Sequence, residues 1–300
     1  MQPPPFTITS DIDLGNRIAP YLVTHGADVE IRRGEVPHAL EGEGENGVAF
    51  QIRDSRALVH VPDGARYLIE DGARILYTAD ADADPRDISL FLLGSAWAIL
   101  CYQRGLIVLH ASAVAAGGQV HGFCGASGAG KSTLAAALAA RGRHFFTDDV
   151  LVLDPERLDP PICFAGQNGP KLWKDALALT GAQPREAVRS IAGFPKFYTD
   201  PISPSPLASG VLNSLTMLAN ARNGEPLSIQ PVAGARAIAR LAQNVHRPVF
   251  AEAILGRKRL YEALAMIAGS VALFRFCRPL DAAAFADGVT HVNRWIGERS

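Results

Sequence analysis

The 300-residue sequence contains few of the features that mark extracellular, zinc-binding or nucleic-acid-binding proteins. Its four cysteines fit no zinc-site spacing and are too few for a disulfide framework: Cys101, Cys124, Cys163 and Cys277. Lys and Arg number 29 against 30 Asp and Glu, so the formal net charge is −1. Because the chain has no basic excess, we expect no nucleic acid among its partners.

Targeting and membrane signals are also scarce. Residues 1–6 contain no basic side chain and no apolar run, so we expect no signal peptide. The best candidate for a membrane span, Ile88 to Gln103, is sixteen uncharged residues long and includes Gly94 and Ser95. That length is short for a bilayer. We therefore expect a buried helix there, no membrane partner and a cytoplasmic location.

The chain is rich in apolar residues, and their pattern differs between two regions. With 48% hydrophobic and 20% charged residues, a large buried core is expected. Short β-rich runs punctuated by Pro62-Asp63-Gly64 and Asp71-Gly72 predict a mostly β region over residues 1–100, ending in the buried helix. Residues 101–300 alternate strand, glycine-rich loop, helix and strand, which indicates an α/β domain.

Two segments of this second region carry expectations of their own. Leu106 to Ala115 is a continuous apolar run and predicts a single strand. The segment Phe194 to Pro206 holds four prolines, which favour a mobile loop that joins neither a ladder nor a helix.

The strongest motif is the glycine-rich loop, residues 125–132, which fits the pattern G-x-x-x-x-G-K-[ST]. Glycines allow successive backbone N–H groups to face phosphate oxygens, and the helix that follows adds its N-terminal dipole. Lys131 supplies a positive charge for the β- and γ-phosphates, and Ser132 a hydroxyl for Mg²⁺. The residues expected to bind nucleotide are Gly125, Ala126, Ser127, Gly128, Ala129, Gly130, Lys131, Ser132 and Thr133.

Asp148-Asp149 ends the next predicted strand, which we expect beside the strand of the glycine-rich loop in a parallel sheet. One carboxylate can hold Mg²⁺ and the other can accept a proton from an incoming hydroxyl. The alternative is an Asp pair that caps a helix or lies in a loop. For His110 the sequence leaves two interpretations: it lies near this pair, or it is an ordinary core residue.

Residues 170–175, Pro-Lys-Leu-Trp-Lys-Asp, contain two of the five lysines of the chain. One interpretation is a helix start with Trp173 packed beneath it. The other is a cationic segment that reaches phosphate or substrate. The residues alone favour neither interpretation.

Three of these segments together resemble the HPr kinase catalytic domain. They are Leu109-His-Ala-Ser-Ala-Val114, Gly125 to Thr133, and Arg141-Gly-Arg-His-Phe-Phe-Thr-Asp-Asp149. The resemblance covers roughly residues 105–155. The N-terminal β region, residues 170–175 and Asn244-Val-His-Arg-Pro248 are similar to a divergent branch of that family, which includes kinases that phosphorylate lasso-peptide precursors on Ser.

The resemblance implies an α/β fold in which residues 101–300 form an HPr kinase-like P-loop catalytic domain, and an ATP- and Mg²⁺-dependent kinase. It makes Lys131, Asp148 and His110 catalytic. Asp148 would be the base, and His110 would adjust its basicity. Ser132 and Asp149 would hold the metal. The expected acceptor is a Ser hydroxyl of a protein or peptide. A kinase for a small molecule such as free serine and a nucleotide-dependent sensor or assembly module with slow ATP hydrolysis stay as alternatives. A homo-oligomer is a further candidate partner.

Overall fold

The computed structural model describes residues 3–167, 169–191, 193–221, 225–279 and 281–299. Its first part is a seven-stranded sheet in the order β1-β2-β7-β6-β5-β4-β3, built from β1 (Ile8–Ser10), β2 (Val29–Arg33), β3 (Glu45–Asn46), β4 (Phe50–Arg53), β5 (Arg56–Val61), β6 (Ala65–Glu70) and β7 (Arg74–Ala79). A short 3₁₀ helix, Gly15–Tyr21, lies between β1 and β2. The antiparallel hairpins β5–β6 and β6–β7 turn at Asp63 and Asp71, both with left-handed φ. The predicted β character and both turns are confirmed.

A buried helical segment follows this sheet. Helix α1 (Pro85–Phe91) begins after Asp84, whose side chain accepts a hydrogen bond from the backbone N–H of Arg86. The chain continues through a π-helical stretch, Leu92–Ala96, into α2 (Trp97–Gln103). Residues 92–102 are all buried, so the predicted buried helix is confirmed. Among the helices of the described residues, none has the length and apolarity needed to cross a membrane.

One cluster of buried side chains joins the two parts of the chain. It includes Ile69 of the first sheet, Trp97 of α2, and Leu109 and Leu215 further along the chain. Because this core is continuous, the boundary at residue 100 between two domains stays a prediction.

The remaining strands form one large sheet and one small sheet. They are β8 (Ile107–Leu109), β9 (Ala111–Ala116), β10 (Gln119–Cys124), β11 (His144–Thr147), β12 (Leu151–Leu158), β13 (Pro161–Ala165), β14 (Lys171–Trp173), β15 (Pro184–Ala187), β16 (Lys196–Thr199), β17 (Ser209–Asn220), β18 (Ser228–Val232) and β19 (Ala272–Arg278). The large sheet has the order β11-β9-β10-β17-β13-β12-β8; β19 also pairs with β17, and β18 pairs with β19. The small sheet is β14-β16-β15.

Further helices pack against the sheets and against one another and complete a mixed α/β fold, as expected. They are α3 (Lys131–Ala139), α4 (Lys174–Thr180), α5 (Gly234–Ala242), α6 (Pro248–Leu255), α7 (Arg257–Ser270) and α8 (Ala282–Gly297). A second buried cluster packs Leu134 and Leu138 of α3 against Phe123 of β10, Phe276 of β19 and Val292 of α8. This packing fixes the position at which α3 begins.

Three expectations are corrected. The run from Leu106 to Ala115 is not one strand: it breaks at His110, because β8 pairs with β12 while β9 pairs with β10 and β11. The strand that precedes Asp148 does not adjoin β10. β9 lies between them and is antiparallel to both, so β10 and β11 still run in the same direction.

The third correction concerns the proline-rich segment. Residues 196–199 form β16, the central strand of the small sheet, so the prediction that Phe194 to Pro206 contains no strand is wrong. Its prolines flank β16 rather than interrupt it, and the strand therefore keeps the backbone N–H groups that its ladder needs.

Candidate active site

The glycine-rich loop connects β10 to α3 and leaves its residues little conformational choice. Gly128 and Gly130 have φ of 79° and 81°, a left-handed region that other residues rarely adopt. A Cβ atom added at Gly130 would lie 2.8 Å from Nη2 of Arg278. The predicted arrangement of strand, loop and helix is confirmed, and the glycines serve both backbone conformation and close packing.

Lys131 folds back over this loop. Its Nζ donates to the backbone oxygens of Gly125 at 2.8 Å and Ala126 at 3.2 Å. Burial lowers the pKa of Lys131, while the negative charges of Asp148 and Asp149 oppose that shift. The lysine is therefore anchored by neutral carbonyl groups, which a phosphate oxygen can replace as a stronger, charged partner.

Asp148 lies beneath the loop, with a side chain that is buried among hydrogen-bond donors. Its Oδ1 accepts from the hydroxyls of Ser112 at 2.6 Å and Ser132 at 2.7 Å. Its Oδ2 accepts from the backbone N–H of Lys171 at 2.8 Å. The carboxylate thus fixes the hydroxyl of Ser132 and joins β9, α3 and β14.

Asp149 points in another direction, because its own backbone turns at this residue. Its φ of 68° is left-handed, a conformation that Asp tolerates better than most residues. Its Oδ2 lies 2.6 Å from Nζ of Lys171, and its Oδ1 lies 3.2 Å from Nε2 of His110. Burial alone would raise the pKa of Asp149, but Lys171 and His110 outweigh it and hold the pKa well below its ordinary value.

These contacts decide between the alternatives left by the sequence. The Asp pair caps no helix: it lies in the short connection between β11 and β12, and both of its carboxylates have partners. His110 is no ordinary core residue: its side chain is partly exposed and faces Asp149. In residues 170–175, α4 begins at Lys174, but Trp173 is 40% exposed and therefore is not packed beneath that helix.

Residues 244–246 hold His110 and the glycine-rich loop together. The backbone oxygen of Asn244 accepts from the N–H of His110 at 2.8 Å, and its Oδ1 accepts from the N–H of Gly125 at 2.7 Å. The ring of His246 lies edge-on to that of His110, with centroids 5.8 Å apart. Burial lowers the pKa of His246 to about 4, so its imidazole is neutral near pH 7. The sequence pointed to this segment only through the family resemblance.

A second cation, Arg278, lies against the loop. It ends β19, and its Nη2 donates to the backbone oxygen of Ala129 at 2.5 Å. Sequence reasoning missed Arg278, because 148 residues separate it from Gly130 and no local motif surrounds it.

One cavity of about 580 Å³ unites these groups. Its wall includes His110, Lys131, Ser132, Asp149 and Lys171, and Arg278 closes another side. Of the two aspartates, Asp149 lines the cavity, whereas Asp148 is not among the described residues that line it. The predicted site residues are therefore brought together, with Asp148 behind the wall rather than on it.

The donor set at the loop suits Mg²⁺. Within the described ranges, no group of three or more His, Cys, Asp or Glu side chains is arranged to hold a metal ion. Ser132 nevertheless places a hydroxyl oxygen on the cavity wall, and its hydrogen is committed to Asp148. Its lone pairs are therefore free for a cation, and oxygen is the ligand that Mg²⁺ prefers.

Comparison with known proteins gives little further guidance. No family model and no curated protein matches this chain. A solved structure described as the Hpr(Ser) kinase/phosphatase from Coxiella burnetii aligns with 64% of this chain and 99% of its own, at 13% sequence identity and a TM-score of 0.32. A likeness at that TM-score supports no conclusion about function.

Proposed function

We propose that this chain is an ATP- and Mg²⁺-dependent kinase that transfers the γ-phosphoryl group to a serine hydroxyl of a peptide or protein. The observation that carries the proposal is the wall of the cavity. It holds Lys131 and Ser132 of the glycine-rich loop beside Asp149 and His110, which come from two other segments. A phosphate site next to an ionised carboxylate is the arrangement that phosphoryl transfer to a hydroxyl requires.

The loop side of the cavity receives the triphosphate. Backbone N–H groups at the start of α3 and the ammonium of Lys131 provide donors for phosphate oxygens. Arg278 adds a positive charge at the back of the loop. When bound, Mg²⁺ neutralises charge on the β- and γ-oxygens; Ser132 would hold it directly, with Asp148 orienting the Ser132 hydroxyl.

The two aspartates then exchange the roles that the family resemblance implies. Asp148 is 1% exposed and all three of its donors come from the protein, so an acceptor hydroxyl cannot reach it without rearrangement. Asp149 lines the cavity, and its low pKa keeps it ionised near pH 7. Asp149 is therefore the better base, with His110 holding its second oxygen.

The transfer itself is an in-line displacement. The acceptor oxygen forms a bond to the γ-phosphorus, the bond from that phosphorus to the β–γ bridging oxygen breaks, and ADP leaves. The hydroxyl proton passes to a carboxylate oxygen of Asp149. The protein contributes little covalent chemistry to such a step. Its main contribution is therefore the orientation of the hydroxyl by Asp149.

The mouth of the cavity supports a peptide acceptor. Trp173 lines it and is 40% exposed, and its ring lies 5.0 Å from that of Phe194. Lys196 lines the same rim, with Nζ 5.8 Å from the Trp173 ring. An exposed aromatic and cationic rim offers contact area beyond what free serine could occupy.

The test is transfer of label from γ-³²P-ATP with Mg²⁺ to three acceptors: Ser-containing peptides encoded beside this gene, free serine, and none. We expect label on a peptide serine. Asp149→Asn should lose roughly 10²-fold or more in rate, the usual scale for a base, and still bind ATP. The matched control Asp154→Asn lies outside the cavity and should retain activity. Label on free serine alone, or phosphate release without an acceptor, would replace the peptide-kinase proposal with one of its alternatives.

A further inference from the structure

Lys171 is an unusual lysine for its position. It is one of five in the chain, lies on β14 and is only 2% exposed. A lysine so deeply buried is normally tolerated only when its charge is compensated. The catalytic steps above assign it no part except as the partner of Asp149.

The contacts of its ammonium leave capacity for one more acceptor. Nζ donates to Oδ2 of Asp149 at 2.6 Å and lies 3.3 Å from Oε1 of Gln167. A lysine ammonium has three N–H donors, and the described residues supply these two acceptors. The side chain also lines the cavity that holds Lys131 and Ser132. The uncommitted donor is therefore on the ammonium that faces the triphosphate site.

We propose that Lys171 binds the γ-phosphate of ATP and, in doing so, gives up Asp149 to the acceptor hydroxyl. The inference rests on the proposed function, since it needs ATP in this cavity. The γ-phosphate carries more negative charge than one carboxylate and offers several oxygens. One of these oxygens takes the uncommitted donor, and a second competes with Asp149 for the donor that Asp149 holds. ADP has no γ-phosphate, and with ADP the pair of Lys171 and Asp149 stays closed. Lys171 thus couples the presence of ATP to the release of the base.

The experiment compares the dissociation constants of ADP and of AMP-PNP, a non-hydrolysable ATP analogue, by calorimetry in Mg²⁺. Lys171→Ala should weaken AMP-PNP on the order of 10–100-fold, as expected for one charge-assisted hydrogen bond, and leave ADP nearly unchanged. Lys174→Ala is the matched control, because Lys174 is three residues away, exposed and outside this cavity lining. It should change neither constant.

A second pair of variants separates phosphate binding from a purely structural ion pair. Asp149→Asn frees Lys171, so AMP-PNP should bind more tightly while ADP changes less. Adding Lys171→Met to Asp149→Asn should abolish that gain. This double variant buries no unpaired charge, so it can still be measured if Lys171→Ala fails to fold. Equal effects of Lys171→Ala on both nucleotides, or a gain that survives in the double variant, would overturn the inference. A wild type that binds neither nucleotide would overturn the proposed function as well.

Discussion

Replacing Asp148 with asparagine separates metal support from base catalysis, because Asp148 and Asp149 contact different partners. Oδ1 of Asp148 accepts from the hydroxyls of Ser112 and Ser132, and Oδ2 accepts from the backbone N–H of Lys171. An asparagine retains all three contacts in only one orientation. Its oxygen must face Lys171, and its amide nitrogen must donate to the two hydroxyl oxygens.

That orientation reverses the hydrogen bond to Ser132. In the native protein the Ser132 hydroxyl donates and leaves its oxygen lone pairs for a cation. In the variant the Ser132 oxygen accepts from the amide, and its hydrogen turns elsewhere. All three hydrogen bonds also lose the charge of the carboxylate. We expect the free energy of unfolding to fall by about 1–2 kcal/mol. The affinity for Mg²⁺ should fall on the order of 10–100-fold, as is typical when an outer partner of a metal ligand is removed.

The assay is calorimetric titration of ADP in Mg²⁺ and again in EDTA. In EDTA, Asp148→Asn should bind ADP with the same affinity as the wild type. In Mg²⁺, the variant should lack the increase in ADP affinity that the wild type shows. Ser112→Ala is the control, since it removes a donor from the same carboxylate without touching the contact to Ser132. An undiminished gain from Mg²⁺, together with a loss of phosphoryl transfer, would refute this reasoning and make Asp148 the base.

Three further predictions follow from buried groups. Burial lowers the pKa of His121 to about 4, so between pH 6.5 and 4 the unfolded chain binds a proton that the folded chain does not. The free energy of unfolding should therefore fall on acidification, by up to about 1.4 kcal/mol per pH unit for this group. Urea titrations at several pH values should show that this free energy depends less steeply on pH in His121→Gln than in the wild type. Gly122→Ala places a Cβ 2.7 Å from Cδ2 of Leu215 and should cost about 1–3 kcal/mol in the same titrations; no loss would show that β17 gives way easily. Asn244→Ala leaves the N–H of Gly125 without its acceptor and should weaken ADP binding measured by fluorescence competition, whereas unchanged binding would show that the loop holds its shape without Asn244.

The parts of the molecule that the sequence predicted are those encoded by local pattern. The hairpin turns at Asp63 and Asp71 and the buried segment at Ile88 to Gln103 follow from residues close together in the chain. The glycine-rich loop is of the same kind, because its conformation is set by Gly128 and Gly130 within one turn. Local steric and periodic preferences are enough to indicate such elements.

The parts that were missed depend on contacts between distant segments. The break at His110 is set by distant strands, because β8 pairs with β12 whereas β9 pairs with β10 and β11. The pairing of Lys171 with Asp149 joins residues 22 apart through a separate small sheet. The two aspartates face different partners because the backbone turns left-handed at Asp149, which an Asp-Asp sequence alone does not disclose.

Every proposed role depends on ATP binding at the glycine-rich loop, and Lys131 tests that binding most directly. The decisive measurement is calorimetric titration of ATP with Mg²⁺ into the wild type and Lys131→Ala. The wild type should bind ATP, and the variant should bind it roughly 10–100-fold more weakly, because one buried charge-assisted contact is lost. Equal affinity in the two proteins, or no binding by the wild type, would contradict the assignment of this cavity as the ATP site.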